Sequence, residues 1–323
     1  MRVLEGVGCL LGLLVLLAVL ESAYAHEPLT DEQIQALKDA GEYDERLARA
    51  QRLQQHKLGP GLSQRALFKI RRGALEASGL SPREVAEALS GGGRVMAFPF
   101  TAQPELRSTG TVNTLTVLID FKDHRAATEL PGMTNAVFRD NIYGNGTPEA
   151  QNDIPYEGLN AYYRRASQDL VNVQGNVLGW YHFPDNRANY EPASSFWAHE
   201  NQAIFNMVEE ALNEFDDTHD YAQYENDNDG DIDLVTILYA GPDTGWSSFW
   251  WAYRWSFQVP DAATTKFDGK RLRQFVFQFV STRGEDNDDF DPRTLLHEMG
   301  HAFGIADYYD YDRDVGPDGG VGG

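Results

Sequence analysis

The 323-residue chain has a single cysteine, Cys9, and it lies inside the first 25 residues. Removal of that segment leaves no thiol, which excludes structural disulfides, cysteine-ligated metal and inhibition of a metal site by a pro-segment cysteine. Long apolar runs are also scarce. The longest, Val7 to Leu20, has about 14 residues, short of the roughly 20 that a bilayer-spanning helix needs. Positive charge is under-represented: 27 Lys and Arg against 49 Asp and Glu give a formal charge of −22. Such a surface repels phosphates, so nucleic acid is not an expected partner.

The 42% hydrophobic and 12% aromatic content is enough to bury a sizeable core in one large or two smaller domains. Arg2, the apolar run and Ala23-Tyr24-Ala25 match a secretory signal peptide over residues 1–25, so the mature protein is expected outside the cell with no stable membrane span. Residues 26–105 read as a separate helical region. Asp31 to Leu37 and Glu42 to Leu53 mix charges with sparse apolar positions, and Ser81-Pro82-Arg83-Glu84 is a capping box ahead of a helix that Gly91-Gly92-Gly93 ends. Two readings stand for this region: a pro-segment that covers the site until it is removed, or a helical cap or spacer.

From Thr111 the composition changes. Val112 to Phe121 is a β-branched run, apolar on both faces in its second half, and reads as a buried strand that opens the main domain. A helix is expected over Glu157 to Asp169, a strand over Val171 to Trp180 with a bend at Gly175, and a longer helix capped by Ser194 or Ser195. The aromatic stretches Ser247 to Val259 and Leu272 to Val280 read as two more strands, with a turn at Asp268-Gly269 between them. His124, His182, His199 and His219 read as surface histidines. The expected class is α+β, a twisted sheet with a helix carrying the site.

That helix is spelled Thr294-Leu-Leu-His297-Glu298-Met299-Gly300-His301, followed by Gly304 and Asp307. Residues four apart on a helix lie about 40° apart in projection, so His297 and His301 can share one metal. Glu298 leaves roughly 100° round from His297 and can flank the metal as a base acting on water. Zinc suits the pair, since a catalytic zinc takes three protein ligands and keeps one open position. If the helix continued, Asp307 would lie about 15 Å along the axis from His297. Gly304 can stop it, because glycine takes the left-handed conformation at no steric cost, and Asp307 then becomes the local candidate for third ligand. Asp291 as N-cap and Pro292 at the first helical position punctuate the start.

A second motif runs from Glu225 to Asp233. Glu225, Asp227, Asp229, Asp231 and Asp233 place oxygen ligands at alternate residues, Gly230 sits where a calcium loop needs its sharp turn, and Ile232 is the apolar residue that follows. Thr236 stands where an EF-hand has its bidentate Glu, and Leu234 to Ala240 reads as a strand, so the expectation is a structural Ca²⁺ loop feeding a strand. The alternative is a solvated acidic turn.

Taken together, Val112-Asn113-Thr114-Leu115 to Ile119-Asp120-Phe121, Tyr162 to Ser167, Val173-Gln174-Gly175, the Asp227 to Asp233 loop, Ala240-Gly241, Trp251 to Trp255 and His297 to Asp310 resemble secreted bacterial metallopeptidases of the immune inhibitor A family. The resemblance spans roughly residues 109–323. It implies a metzincin-like catalytic domain over 106–323, made as a secreted precursor. It further implies a zinc endopeptidase acting on proteins or peptides, with His297 and His301 as zinc ligands and Glu298 as general base. In such proteins a methionine-containing turn floors the metal. Met299 lies inside the helix and cannot fill that role, so the chain is expected to be a fragment of a longer one, and a carboxylate beyond Gly323 could take the place given to Asp307. A competing expectation is a secreted metal-binding or adhesion module without catalysis.

Overall fold

The computed structural model describes residues 29–53, 106–107, 109–145, 157–194, 197–280, 290 and 292–305. The expected signal peptide, all of residues 54–105 with the expected capping box and glycine run, Ser195, Asp291, Asp307 and the C-terminal glycines lie outside them.

The chain is a mixed α and β fold built on a mostly parallel sheet, compatible with the α+β expectation. The β-branched run forms β1 (Gly110–Asp120), an interior strand of the five-stranded sheet. β2 (Val171–His182) pairs with it in parallel on one side and β4 (Val235–Tyr239) on the other. β7 (Gln274–Phe279) continues in parallel beside β4, and β5 (Tyr253–Ser256) closes the edge antiparallel to β7. Two short strands, β3 (Asp231–Ile232) and β6 (Arg271–Leu272), pair separately.

Parallel neighbours need crossover connections, and the helices supply them. Between β1 and β2 lie α3 (Ala126–Glu129), α4 (Asn135–Tyr143) and α5 (Leu159–Ala166); between β2 and β4 lies α6 (Trp197–Phe215). α7 (Pro260–Thr264) follows β5, and α8 (Arg293–Ala302) follows β7. No helix among the described residues is long and apolar enough to cross a membrane.

Alternation along each strand builds two cores. Leu115, Val117, Ile119, Val235, Ile237, Tyr239, Phe275, Phe277 and Phe279 face one way, onto Ile204, Phe205, Val208 and Leu212 of α6 and onto Trp246, Trp250 and Trp251. Val112, Leu118, Leu234, Leu238, Val276 and Val280 face the other, onto Phe138 and Ile142 of α4, Leu159 and Tyr163 of α5, and Leu295, Met299 and Ala302 of α8. The expected strand from Ser247 is shorter than its sequence suggested. Gly245 and Ser247 have φ of 92° and 52°, which breaks an extended run, and residues 245–251 turn so that their rings pack inward. The Asp268-Gly269 turn forms with φ of 48° and 80°, both left-handed as a tight turn requires.

Ahead of the sheet stand α1 (Asp31–Ala40) and α2 (Tyr43–Leu53). Thr30 and Gln33 form a capping box, and Gly41 ends α1 at φ 74°.

Candidate metal centre

α8 starts just after Pro292, whose carbonyl accepts from the Leu296 amide at 2.8 Å, and it buries Leu295, Met299 and Ala302. Met299, fully buried, is a core residue. The end is a Schellman turn: Gly304 sits at φ 86°, its amide donates to the His301 carbonyl at 3.0 Å, and the Ile305 amide reaches back to Gly300 at 2.9 Å. Gly304 therefore stops the helix where the sequence places the stop. The last helical carbonyl, on Ala302, accepts from the Leu106 amide at 3.0 Å.

The reversal at Gly304 also sets a histidine. It brings the Ile305 carbonyl within 2.7 Å of His301 Nδ1, which makes Nδ1 the protonated nitrogen and leaves Nε2 with its lone pair. His301 Nε2 lies 3.1 Å from His297 Nε2, with the rings 4.6 Å apart and nearly perpendicular. Two nitrogens each about 2.0–2.1 Å from a tetrahedral zinc would be about 3.3 Å apart, so the observed separation fits the group. His301 is buried, His297 half-buried and Glu298 buried at 1% exposure. The chain turns back ahead of Asp307, whose own position lies outside the described residues.

Tyr163 is the partner that sequence reasoning missed. Its hydroxyl donates to the Leu296 carbonyl at 2.6 Å, one residue before His297, and its ring packs on Phe303 at 4.9 Å. Burial pushes this phenol well above its usual range, with Tyr162 and Glu298 adding to the shift, so it stays a donor. A Cβ on Gly300 would lie 3.4 Å from the Tyr163 hydroxyl, at van der Waals contact. A buried tyrosine must place its hydroxyl, and that was the available signal.

The acidic loop keeps part of its expected arrangement. Gly230 makes the sharp turn at φ 92°, and one oxygen each from Glu225, Asp227 and Asp229 lie within 4.8 Å of one another. Asp231 and Asp233 are not in that group. Asp231 Oδ1 accepts from Arg271 Nε at 2.7 Å, and Asp233 Oδ2 accepts from the Asn226 amide at 2.8 Å and from Asn226 Nδ2 at 2.6 Å. Glu225 also takes Lys270 Nζ at 2.7 Å, a bond that draws its carboxyl below the usual range. Burial raises Asp233 to about 6, with Asp227 and Asp229 adding repulsion against the Asn226 bonds.

The remaining histidines divide. His199 is exposed, as expected. His219 is not a plain surface residue: it stacks on Tyr224, with Nε2 2.7 Å from the Tyr224 hydroxyl, and burial lowers its pKa. His182 is exposed, but its Nδ1 lies 2.8 Å from fully buried Asp120, which also binds Arg125 Nη1 at 2.6 Å. His124 Nδ1 lies 2.8 Å from Glu129. No protein-family model matches the chain, and no curated protein matches it.

Proposed function

We propose that the protein is a secreted zinc-dependent endopeptidase, metzincin-like over residues 106–323, that hydrolyses peptide bonds of proteins. The observation that carries this reading is the pair of histidine Nε2 atoms 3.1 Å apart on one helix, with Glu298 buried on the same turn. His297 and His301 would hold the zinc, with Asp307 as third ligand. Zinc supplies Lewis acidity there, polarising a peptide carbonyl and lowering the pKa of water.

The chain's own residues do the rest. The Ile305 carbonyl orients the His301 ring and raises the basicity of its Nε2. Glu298 takes a proton from the attacking water and hands it to the leaving amine nitrogen. The Glu225, Asp227 and Asp229 carboxylates would hold a structural Ca²⁺ with help from Asp231 and Asp233, outside the reaction.

The test is casein hydrolysis by the mature protein, with and without a zinc chelator, beside Glu298→Gln. Hydrolysis should vanish with chelator and return with zinc. The variant should keep one zinc per chain while its rate falls by roughly 10²–10⁴-fold. Turnover within a few-fold of the parent would remove Glu298 from the role of base. Zinc bound tightly with no hydrolysis by the parent would favour a metal-binding module.

A further inference from the structure

The described part of the N-terminal region sits on the face of the sheet opposite α8. Leu29 and Ala50 belong to the core that α6 and the tryptophans share, and Ile34, Leu37, Tyr43 and Leu47 pack against it. The sheet stands between these residues and His297. A segment placed there does not plug the metal helix.

We propose that residues 29–53 are a clamp held on the sheet's antiparallel edge by the buried Arg49–Glu200 pair, and that they stay bound when the connection over residues 54–105 is cut. The occupant of this surface is thus the chain's own N-terminal segment. This inference does not depend on whether the metal helix cuts peptides.

Arg49 is 3% exposed and Glu200 7%. Arg49 Nε donates to both carboxylate oxygens of Glu200, at 3.1 and 3.0 Å, and the guanidinium lies 4.5 Å from the ring centre of Tyr253 on β5. One side chain of α2 therefore ties α6 to the edge strand. The remaining guanidinium nitrogens of Arg49 are buried against the Tyr253 side chain, so the pair has given up its hydration. Such a pair contributes placement more than stability: a sliding helix would leave Glu200 buried without its cation. One turn earlier, Arg46 is braced by Glu42 at 2.8 Å and donates through Nη1 to the Trp246 carbonyl at 2.7 Å. Both arginines thus dock α2 onto the other side of the chain, Arg46 on the 244–246 turn and Arg49 on α6 and β5.

A processing cut after this segment would open the chain without stripping the clamp, and loss of the clamp would expose a buried carboxylate and an edge strand together. The experiment inserts a site for a sequence-specific protease at Gly91-Gly92-Gly93 in the full chain, cuts it, and follows the pieces by size-exclusion chromatography and native mass spectrometry. The N-terminal piece should co-elute with the body at micromolar concentration. Arg49→Met should weaken its retention by roughly a hundredfold or more, because Glu200 is left buried and unpaired. Arg49→Met with Glu200→Met should restore retention, since an apolar pair of similar volume replaces the charges. Separate elution of the parent's N-terminal piece would overturn the clamp. Retention by Arg49→Met equal to the parent's would overturn the latch. Should Arg49→Met fail to fold uncut, Glu200→Gln in the same assay gives the answer, with weakened retention expected and unchanged retention counting against the pair.

Discussion

Tyr163→Phe removes one oxygen from the link between α5 and α8 and changes little else. The hydroxyl donates to the Leu296 carbonyl at 2.6 Å, while the ring is wedged between Tyr162 at 5.3 Å and Phe303 at 4.9 Å. In phenylalanine the ring contacts survive. A neutral hydrogen bond of this kind contributes about 0.5–1.5 kcal/mol net, and the carbonyl it leaves keeps its place in the helical ladder, so no fully orphaned acceptor is added. A loss of about 1 kcal/mol lowers Tm by roughly 2–4 °C in a domain of this size. Tyr163→Ala also removes the ring and should cost about 3–5 kcal/mol. Thermal melts of the two variants give these differences, and competition with a chromogenic chelator gives zinc affinity. Tyr163→Phe should hold zinc within about tenfold of the parent, because an error of about 1 kcal/mol at the helix can transmit no more than that to the histidines. Equal loss from Phe and Ala would refute the division between hydroxyl and ring. A Phe variant as stable as the parent would show that the hydroxyl contributes nothing at Leu296.

Gly175→Ala should cost about 3 kcal/mol or more in chemical denaturation, because a Cβ there collides with the Thr114 carbonyl of the neighbouring strand and comes 2.8 Å from Tyr143 Cζ and Oη; a loss under about 1 kcal/mol would refute the collision with the Thr114 backbone. Burial raises Tyr143 itself to about 12, against bonds to Thr114 and Thr116 that favour the phenolate. The folded state thus holds this proton more tightly than the unfolded chain, so the contribution is intact below about pH 10, is lost as pH rises through about 12, and amounts to about 3 kcal/mol. Urea melts of the parent and Tyr143→Phe at pH 9 and pH 11.5 check it, and an equal pH slope in both would refute it. Millimolar Ca²⁺ should raise Tm, and Asp227→Asn with Asp229→Asn should abolish the rise; an equal rise in that double variant would take the ion away from the loop.

Much of the fold was legible because it is written locally. The run from Val112 to Phe121 is apolar on both faces, and a strand with that pattern has to lie inside a sheet; it became β1, flanked on both sides. Gly304, Gly230 and Asp268-Gly269 were readable for the same reason, since positive φ is a property of single residues. What was not legible depends on partners far along the chain. α4 offers only Phe138 and Ile142 as strong apolar anchors and was not anticipated. Asp231 fits a calcium loop by spacing, yet Arg271 lies 40 residues on and takes it in an ion pair at 2.6 Å. Asp233 is drawn off by Asn226. On α8 the histidine spacing was in the sequence, while the tautomer of His301 depends on the Ile305 carbonyl, which only the Gly304 reversal brings near.

The two faces of the sheet explain where a site can stand. Toward α6 the strands present Val, Ile, Tyr and three phenylalanines of β7, a dry aromatic layer that α1 and α2 extend. Toward α8 the same strands carry Thr114, Thr116, Thr236, Gln274 and Gln278, all buried. Tyr143 satisfies the two threonines of β1, with its hydroxyl 3.1 and 2.9 Å from theirs. Both side-chain heteroatoms of Gln278, and Thr294 Oγ1 on α8 itself, are buried without a hydrogen-bond partner among the described residues. Each unmade bond costs about 1–3 kcal/mol. The Tyr239 hydroxyl, in the core on the α6 side, is likewise buried without a partner among the described residues, so unmade bonds fall on both faces. The two faces differ in kind: the aromatic layer with α1 and α2 lies on one side, and α8 with His297 and His301 lies on the other, where β1, β4 and β7 carry their buried threonines and glutamines.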